Sequence, residues 1–157
     1  MNRTVLKIVL AILIILLGIT VFYTIFISNF RNNLTAEQIA NEIKEKNSNV
    51  GKIVTYTETT DPNNLLGKEG QYISKIIFED VRLEQFEDGE PVGGTIEVFK
   101  NKKDMKKRKE YLEPFTSSSG MLAEYMYNTN NAIIRLNKKL TPSQAKEYEE
   151  LFKQITK

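Results

Sequence analysis

IVLAILIILLGITVFYTIFI, residues 8–27, holds twenty positions without a charge. That is the length a helix needs to cross a hydrocarbon core of about 30 Å. It divides the chain into a basic head (1–7), a membrane segment (8–27), a polar tether (28–33) and a soluble remainder (34–157). The apolar run exceeds the 7–15 residues of a cleavable signal core, and its end, Phe22 to Ile27, lacks the small residues a signal peptidase needs. The run therefore reads as an uncleaved anchor, with Phe22, Tyr23 and Phe26 suited to a membrane interface. No cysteine follows it, which excludes lipid attachment through an N-terminal cysteine. Gly18 has no glycine partner four residues away, so no GxxxG pairing face is present.

Arg3 and Lys7 precede the run, while Arg31, Lys44 and Lys46 follow it within about twenty residues. The dense positive head favours an inside N-terminus, and the expectation is a single-pass protein with its domain outside the cytoplasm. A cytoplasmic domain on an outward-facing tail stays open as the alternative. The six-residue tether is too short to let the domain roam far from the membrane.

Arg3 and Lys7 also account for the formal charge of +2, because all other charges lie beyond the run, where 20 basic residues face 20 acidic ones. A neutral domain does not carry the basic surplus of a nucleic-acid protein, so no nucleic-acid partner is expected. The chain has no cysteine and no histidine. Disulfides, thiolate nucleophiles and the commonest general base are thereby excluded, and no metal or cofactor is expected.

Beyond the tether, Thr35 caps a helix to about Lys46, with Gln38 closing a capping box, Leu34 stapling onto Ile39, and Ile39, Ala40 and Ile43 as its apolar stripe. Residues 52–59 read as a first strand and 73–83 as a second, with Ile76 and Phe78 on one face and Ile73, Ile77 and Val81 on the other. Residues 60–72 form a long loop between them, turned at Asp61-Pro62 and at Gly67 and Gly70. A third strand, 95–100, follows an acidic connection and runs into a helix capped by Asn101 and ended by Pro114. Its wheel places Met105, Arg108, Tyr111, Leu112 and Phe115 inward and the lysines outward. Residues 117–120 read as a flexible link, and 122–127 with 132–137 as a hairpin. A last helix has cap Thr141, Pro142 at its first position and Gln144 closing the box, with Ala145, Tyr148, Leu151, Phe152 and Ile155 inward. The predicted fold is α+β: one mostly antiparallel five-stranded sheet with helices packed on one face.

The loop 60–72, the strand GTIEVF (94–99), the helix around Arg108 and Tyr111, and LTPSQAKEY (140–148) resemble an uncharacterised family of small envelope proteins of Gram-positive bacteria. The resemblance covers most of residues 35–157. Members often carry a lipoprotein signal ending in cysteine, from which this chain departs by its uncleaved helix. What the resemblance implies is an extracytoplasmic location; it supplies no activity and no catalytic residue.

Four motifs invite sharper readings. Residues 102–109 gather six positive charges in eight positions. Asp104, Glu110 and Glu113 dilute them, which favours a solvated face over a lipid or nucleic-acid site. Arg108, on the apolar side of that helix, needs a buried carboxylate, and Glu97 is the candidate for a structural ion pair. Ser143-Gln-Ala-Lys146 has the S-x-x-K spacing of serine acyltransferases but lacks their companion elements. Asp61-Pro-Asn63-Asn64 fails the EF-hand pattern at Leu65 and Leu66, and Gly67-Lys68 lacks the earlier glycine of a phosphate loop.

The remaining candidate is the long loop as a recognition surface, with Asp61, Asn63, Asn64, Lys68 and Tyr72 as its binding residues, against the reading that these groups satisfy the loop's own backbone. The expected function is a non-catalytic, membrane-anchored binding module of the cell envelope, its partner an envelope protein or a cell-wall polymer. Two alternatives stay open: an envelope hydrolase working with paired carboxylates, and a cytoplasmic-facing regulator that uses residues 102–109 on anionic lipid or nucleic acid.

Overall fold

The structure, a computed structural model, describes residues 2–32, 34–116 and 123–157, with the backbone alone for 26–32. Two compact units result, 1–33 and 34–157. The first is a single helix, α1 (Arg3–Asn32), longer than the predicted span and helical through most of the predicted tether. Its stretch Arg3–Ile25 is long and apolar enough to cross a membrane, and none of that stretch is buried in protein. Thr20 and Thr24 turn their hydroxyls back onto the carbonyls of Leu17 and Val21, so neither presents an unpaired donor.

The second unit is α+β. Its elements run α2 (Ala36–Lys46), β1 (Val50–Thr55), β2 (Tyr72–Asp80), β3 (Gly93–Phe99), α3 (Lys102–Thr116), β4 (Glu124–Asn128), β5 (Ala132–Asn137) and α4 (Pro142–Ile155). Both capping boxes form: the Gln38 and Gln144 amides accept from the backbone of Thr35 and Thr141, whose hydroxyls accept in return. The five strands make one antiparallel sheet in the order β1-β2-β3-β5-β4.

Strand alternation gives this sheet two unlike faces. Ile76, Phe78, Ile96, Val98, Ile134 and Leu136 line one face and join Ile39 and Ile43 of α2 with Tyr148 and Phe152 of α4 in a single core. Gly94 lies on this face because Phe78 fills its place: a side chain there would meet the Phe78 ring at 2.6 Å. The opposite face carries Lys75, Thr95, Glu97, Ile133 and Arg135 by register. Here the smaller cluster of Tyr56, Leu66, Tyr72, Phe99, Met105 and Ile133 forms beneath α3. Two helices thus share one face as predicted, but α3 takes the other. The reason is Arg108, which needs the carboxylate of Glu97, a residue that points away from Ile96 and Val98.

Several boundaries differ from the sequence reading. Val50–Thr55 is shorter than 52–59 at its far end because Thr57 and Thr60 close a turn, the Thr57 N–H donating to the Thr60 hydroxyl at 2.9 Å. The second strand stops at Asp80, whose carboxylate accepts the Arg82 N–H at 2.9 Å and turns the chain. Helix α3 continues past Pro114 to Thr116; in the last turn the proline gives up only one N–H. Tyr111 and Phe115, expected inward, are 62% and 43% exposed. The predicted link 117–120, and residue 122 at the start of the predicted hairpin, lie outside the described residues.

Candidate binding groove beside helix α3

Asp61 organises the loop between β1 and β2. Its side chain is fully buried, and it accepts from Lys75 Nζ at 2.7 Å, from the Tyr72 hydroxyl at 2.6 Å, and from the N–H groups of Leu65 and Leu66 at 2.9 and 3.0 Å. Burial opposes ionisation of Asp61, but Lys75, Tyr72 and the two backbone donors outweigh it and hold the carboxyl well below the usual carboxylate range. Burial also pushes the Tyr72 phenol up, and Asp61 beside it adds to the shift. Lys75 is stacked 4.6 Å from the Tyr56 ring and 5.5 Å from the Tyr72 ring. Asp61 and Tyr72 therefore build the loop from inside, which corrects their placement on its recognition surface.

The other three candidates separate. Asn63 stays at the surface, its amide donating to the Tyr72 hydroxyl at 3.3 Å. Asn64 holds a left-handed backbone, φ 52°, a conformation asparagine tolerates better than most residues. Lys68 is exposed and lines a different hollow with Lys100, Lys103 and Lys107.

Arg108 and Glu97 meet on the sheet's polar face. Arg108 donates through Nε to Glu97 Oε2 at 3.1 Å and through Nη2 to Oε1 at 3.0 Å, a bidentate pair that is nearly dry. Burial alone would lower the Arg108 pKa; the bonds and charge of Glu97 raise it instead. The rings of Tyr72 and Tyr111 lie 5.6 and 5.7 Å from the guanidinium. Arg135 completes the network, reaching Glu97 Oε1 at 3.5 Å and Glu124 Oε2 at 2.7 Å. The Nε of Arg135 is buried with no acceptor among the described residues.

These arginines floor two adjoining grooves that share Tyr111, Leu112 and Arg135. One, of about 720 Å³, is bounded by Asn63, Leu65, Gln71, Lys107 and Arg108. The other, of about 1120 Å³, is bounded by Pro91, Val92, Phe115, Glu124, Lys138 and Lys139. The loop and α3 thus contribute to one surface, with Asn63 and Arg108 lining the same wall. Exposed Tyr111 and Phe115, ring centroids 5.5 Å apart, stand above it. The sequence reading missed Arg135, Glu124 and Gln71, although the alternation of Arg135 with Ile134 and Leu136 marks it as a side chain on the polar face.

Glu97 and Glu124 both engage Arg135. Among the described residues no group of three or more acidic side chains gathers as metal ligands would. The S-x-x-K pair stays at the surface: the Ser143 hydroxyl lies 3.0 Å from that of Thr141, and Lys146 lies 3.9 Å from Glu150. A second buried hub joins Asp80 to Arg82 and to the Tyr148 hydroxyl at 2.7 Å, tying β2 to α4 on the apolar face.

Comparison with protein-family models, with curated proteins and with solved structures finds no match to this chain.

Proposed function

We propose that this chain is a membrane-anchored, non-catalytic binding module of a bacterial envelope, with its domain outside the cytoplasm and its partner, an envelope protein or a cell-wall polymer, seated in the grooves beside α3. The observation that carries this reading is the pair of ordered arginines. Arg108 and Arg135 are held in place by Glu97, Glu124 and two tyrosines before any ligand arrives, so binding does not have to order them. Exposed Tyr111 and Phe115 add flat apolar area next to these donors, the combination that concentrates binding energy at interfaces. The anchor is α1, which carries Arg3 and Lys7 in its first turns and is uncharged from there to the end of its apolar stretch.

The test uses the full chain in detergent, offered separately to solubilised envelope proteins and to isolated wall polymer. Asn63→Ala with Tyr111→Ala removes two exposed groove residues and keeps the ion pairs of Arg108 and Arg135, while giving up the Asn63 bond to Tyr72 and the Tyr111 ring beside Arg108. That double variant is expected to bind at least about tenfold more weakly, the loss of one interfacial anchor. Asn64→Ala with Lys68→Ala is expected to bind as the parent does. Unchanged affinity in the groove variant, or a loss confined to the Asn64 and Lys68 variant, would move the site elsewhere.

A further inference from the structure

We infer that β4 is a pairing edge at which a second copy of this chain adds its own β4, antiparallel, to make a two-fold dimer. The sheet has two edges, and they are built differently. β1 is blunted in the ways edge strands avoid pairing. Its register breaks between Val50 and Ile53, the Gly51 carbonyl is taken by Lys44 Nζ, the Lys52 N–H donates to Glu79 Oε2 at 3.1 Å, and Lys52 is exposed.

Among the described residues β4 shows no register break and no side chain bonded to its outer backbone, and one lysine, Lys138, lies over the Tyr125 ring at 3.8 Å. Its five residues, Glu-Tyr-Met-Tyr-Asn, pair with β5 in unbroken register from Glu124↔Asn137 to Asn128↔Ile133, and they include no lysine and no proline. Every one of them is half-buried. Tyr125 and Tyr127 pack against the apolar core on one side of the sheet, and Met126 against the cluster beneath α3 on the other. Both layers therefore run out to this edge half covered, and a further strand would extend both.

The occupant follows from the charges and from closure. Strands from two copies overlap over all five residues when Met126 faces Met126, which sets Tyr125 against Tyr127 and Glu124 against Asn128. No like charges then meet, and two aromatic cross-strand pairs form. Pairing of β4 with β1 of another copy would be head-to-tail and would not close, and the bulge and lysines of β1 oppose it. The isologous β4 contact closes at two copies. This inference needs no ligand and no membrane, and it shares one residue, Glu124, with the groove wall.

The chain contains no cysteine, so introduced ones report cleanly. In the full chain in detergent, Met126→Cys is expected to oxidise to a disulfide-linked dimer, whereas Val54→Cys on β1 stays monomeric. Because Met126 also packs beneath α3, the unmodified chain provides the second measurement. Its native mass should be that of two chains, and its β4 amides should exchange with deuterium faster on dilution while those of β1 do not change. A chain that is monomeric at every concentration overturns the inference. So does a dimer held by α1, recognised by β4 amides indifferent to dilution and no Met126→Cys crosslink.

Discussion

Arg108→Ala is expected to cost about 3–5 kcal/mol of folding stability, the range found when one partner of a buried ion pair is removed. The loss arises mainly from what stays behind. Glu97 has no exposure, and without Arg108 its carboxylate retains, among the described residues, the 3.5 Å contact with Arg135. The truncation also removes packing between the Tyr72 and Tyr111 rings. Replacing the pair together, Glu97→Leu with Arg108→Met, removes the stranded charge and is expected to recover most of the loss. Changing Lys103, Lys106 and Lys107 to Gln on the same helix is expected to shift stability by less than about 1 kcal/mol, as for exposed charges. Denaturant unfolding of the full chain in detergent checks all three. Equal stability for Arg108→Ala and the parent would show that the network is not a structural support.

Asp61→Ala is expected to lose a similar amount, about 3–5 kcal/mol, because it leaves five donors without their acceptor and one of them is the ammonium of buried Lys75. It also changes the pH dependence. The folded-state pKa of Asp61 is depressed, so its contribution is present above the ordinary carboxylate value of about 4 and is lost as pH falls below it. Asp80 is depressed too, by Arg82 and Tyr148 against the cost of burial, and adds to the same acid limb. Tyr72 and Tyr148 have raised values, chiefly through burial, so their contribution is intact below about pH 10 and is lost as pH rises above it. With no histidine to titrate in between, stability is expected to be flat from about pH 5 to 9. Asp61→Ala should show a shallower acid limb and a plateau lowered by that loss but still flat over the same pH range; an acid limb identical to the parent's would contradict the assignment.

What was legible in the sequence is what depends on near neighbours. The capping boxes of Thr35 and Thr141 involve residues three apart, and the structure forms both. Strand alternation put Ile76 and Phe78 on one face and Ile77 on the other, and five strands with three helices followed from turn chemistry. Arg108 among apolar positions demanded a carboxylate, and Glu97, eleven residues away, lies against it. The rest depends on pairs distant in sequence: Glu97 with Arg135 is separated by 38 residues and Asp80 with Tyr148 by 68. No local pattern names such partners, which is why Arg135, Glu124 and the Asp80 hub were missed. The face chosen by α3 was hidden for the same reason, since a helical wheel shows which side is inward but not which surface it meets. For the loop, residue type was ambiguous: Asp61 suits both a binding group and a turn-former, and only its burial distinguishes them.

Location is the premise of the proposed function, and labelling with a membrane-impermeant maleimide tests it most directly. Asn2→Cys lies ahead of α1, and Lys146→Cys sits on the exposed side of α4. On intact cells of the native host the account predicts labelling of Lys146→Cys, with Asn2→Cys labelled only after permeabilisation. Labelling of Asn2→Cys on intact cells, with Lys146→Cys protected, would place the domain inside the cytoplasm and contradict an envelope binding module.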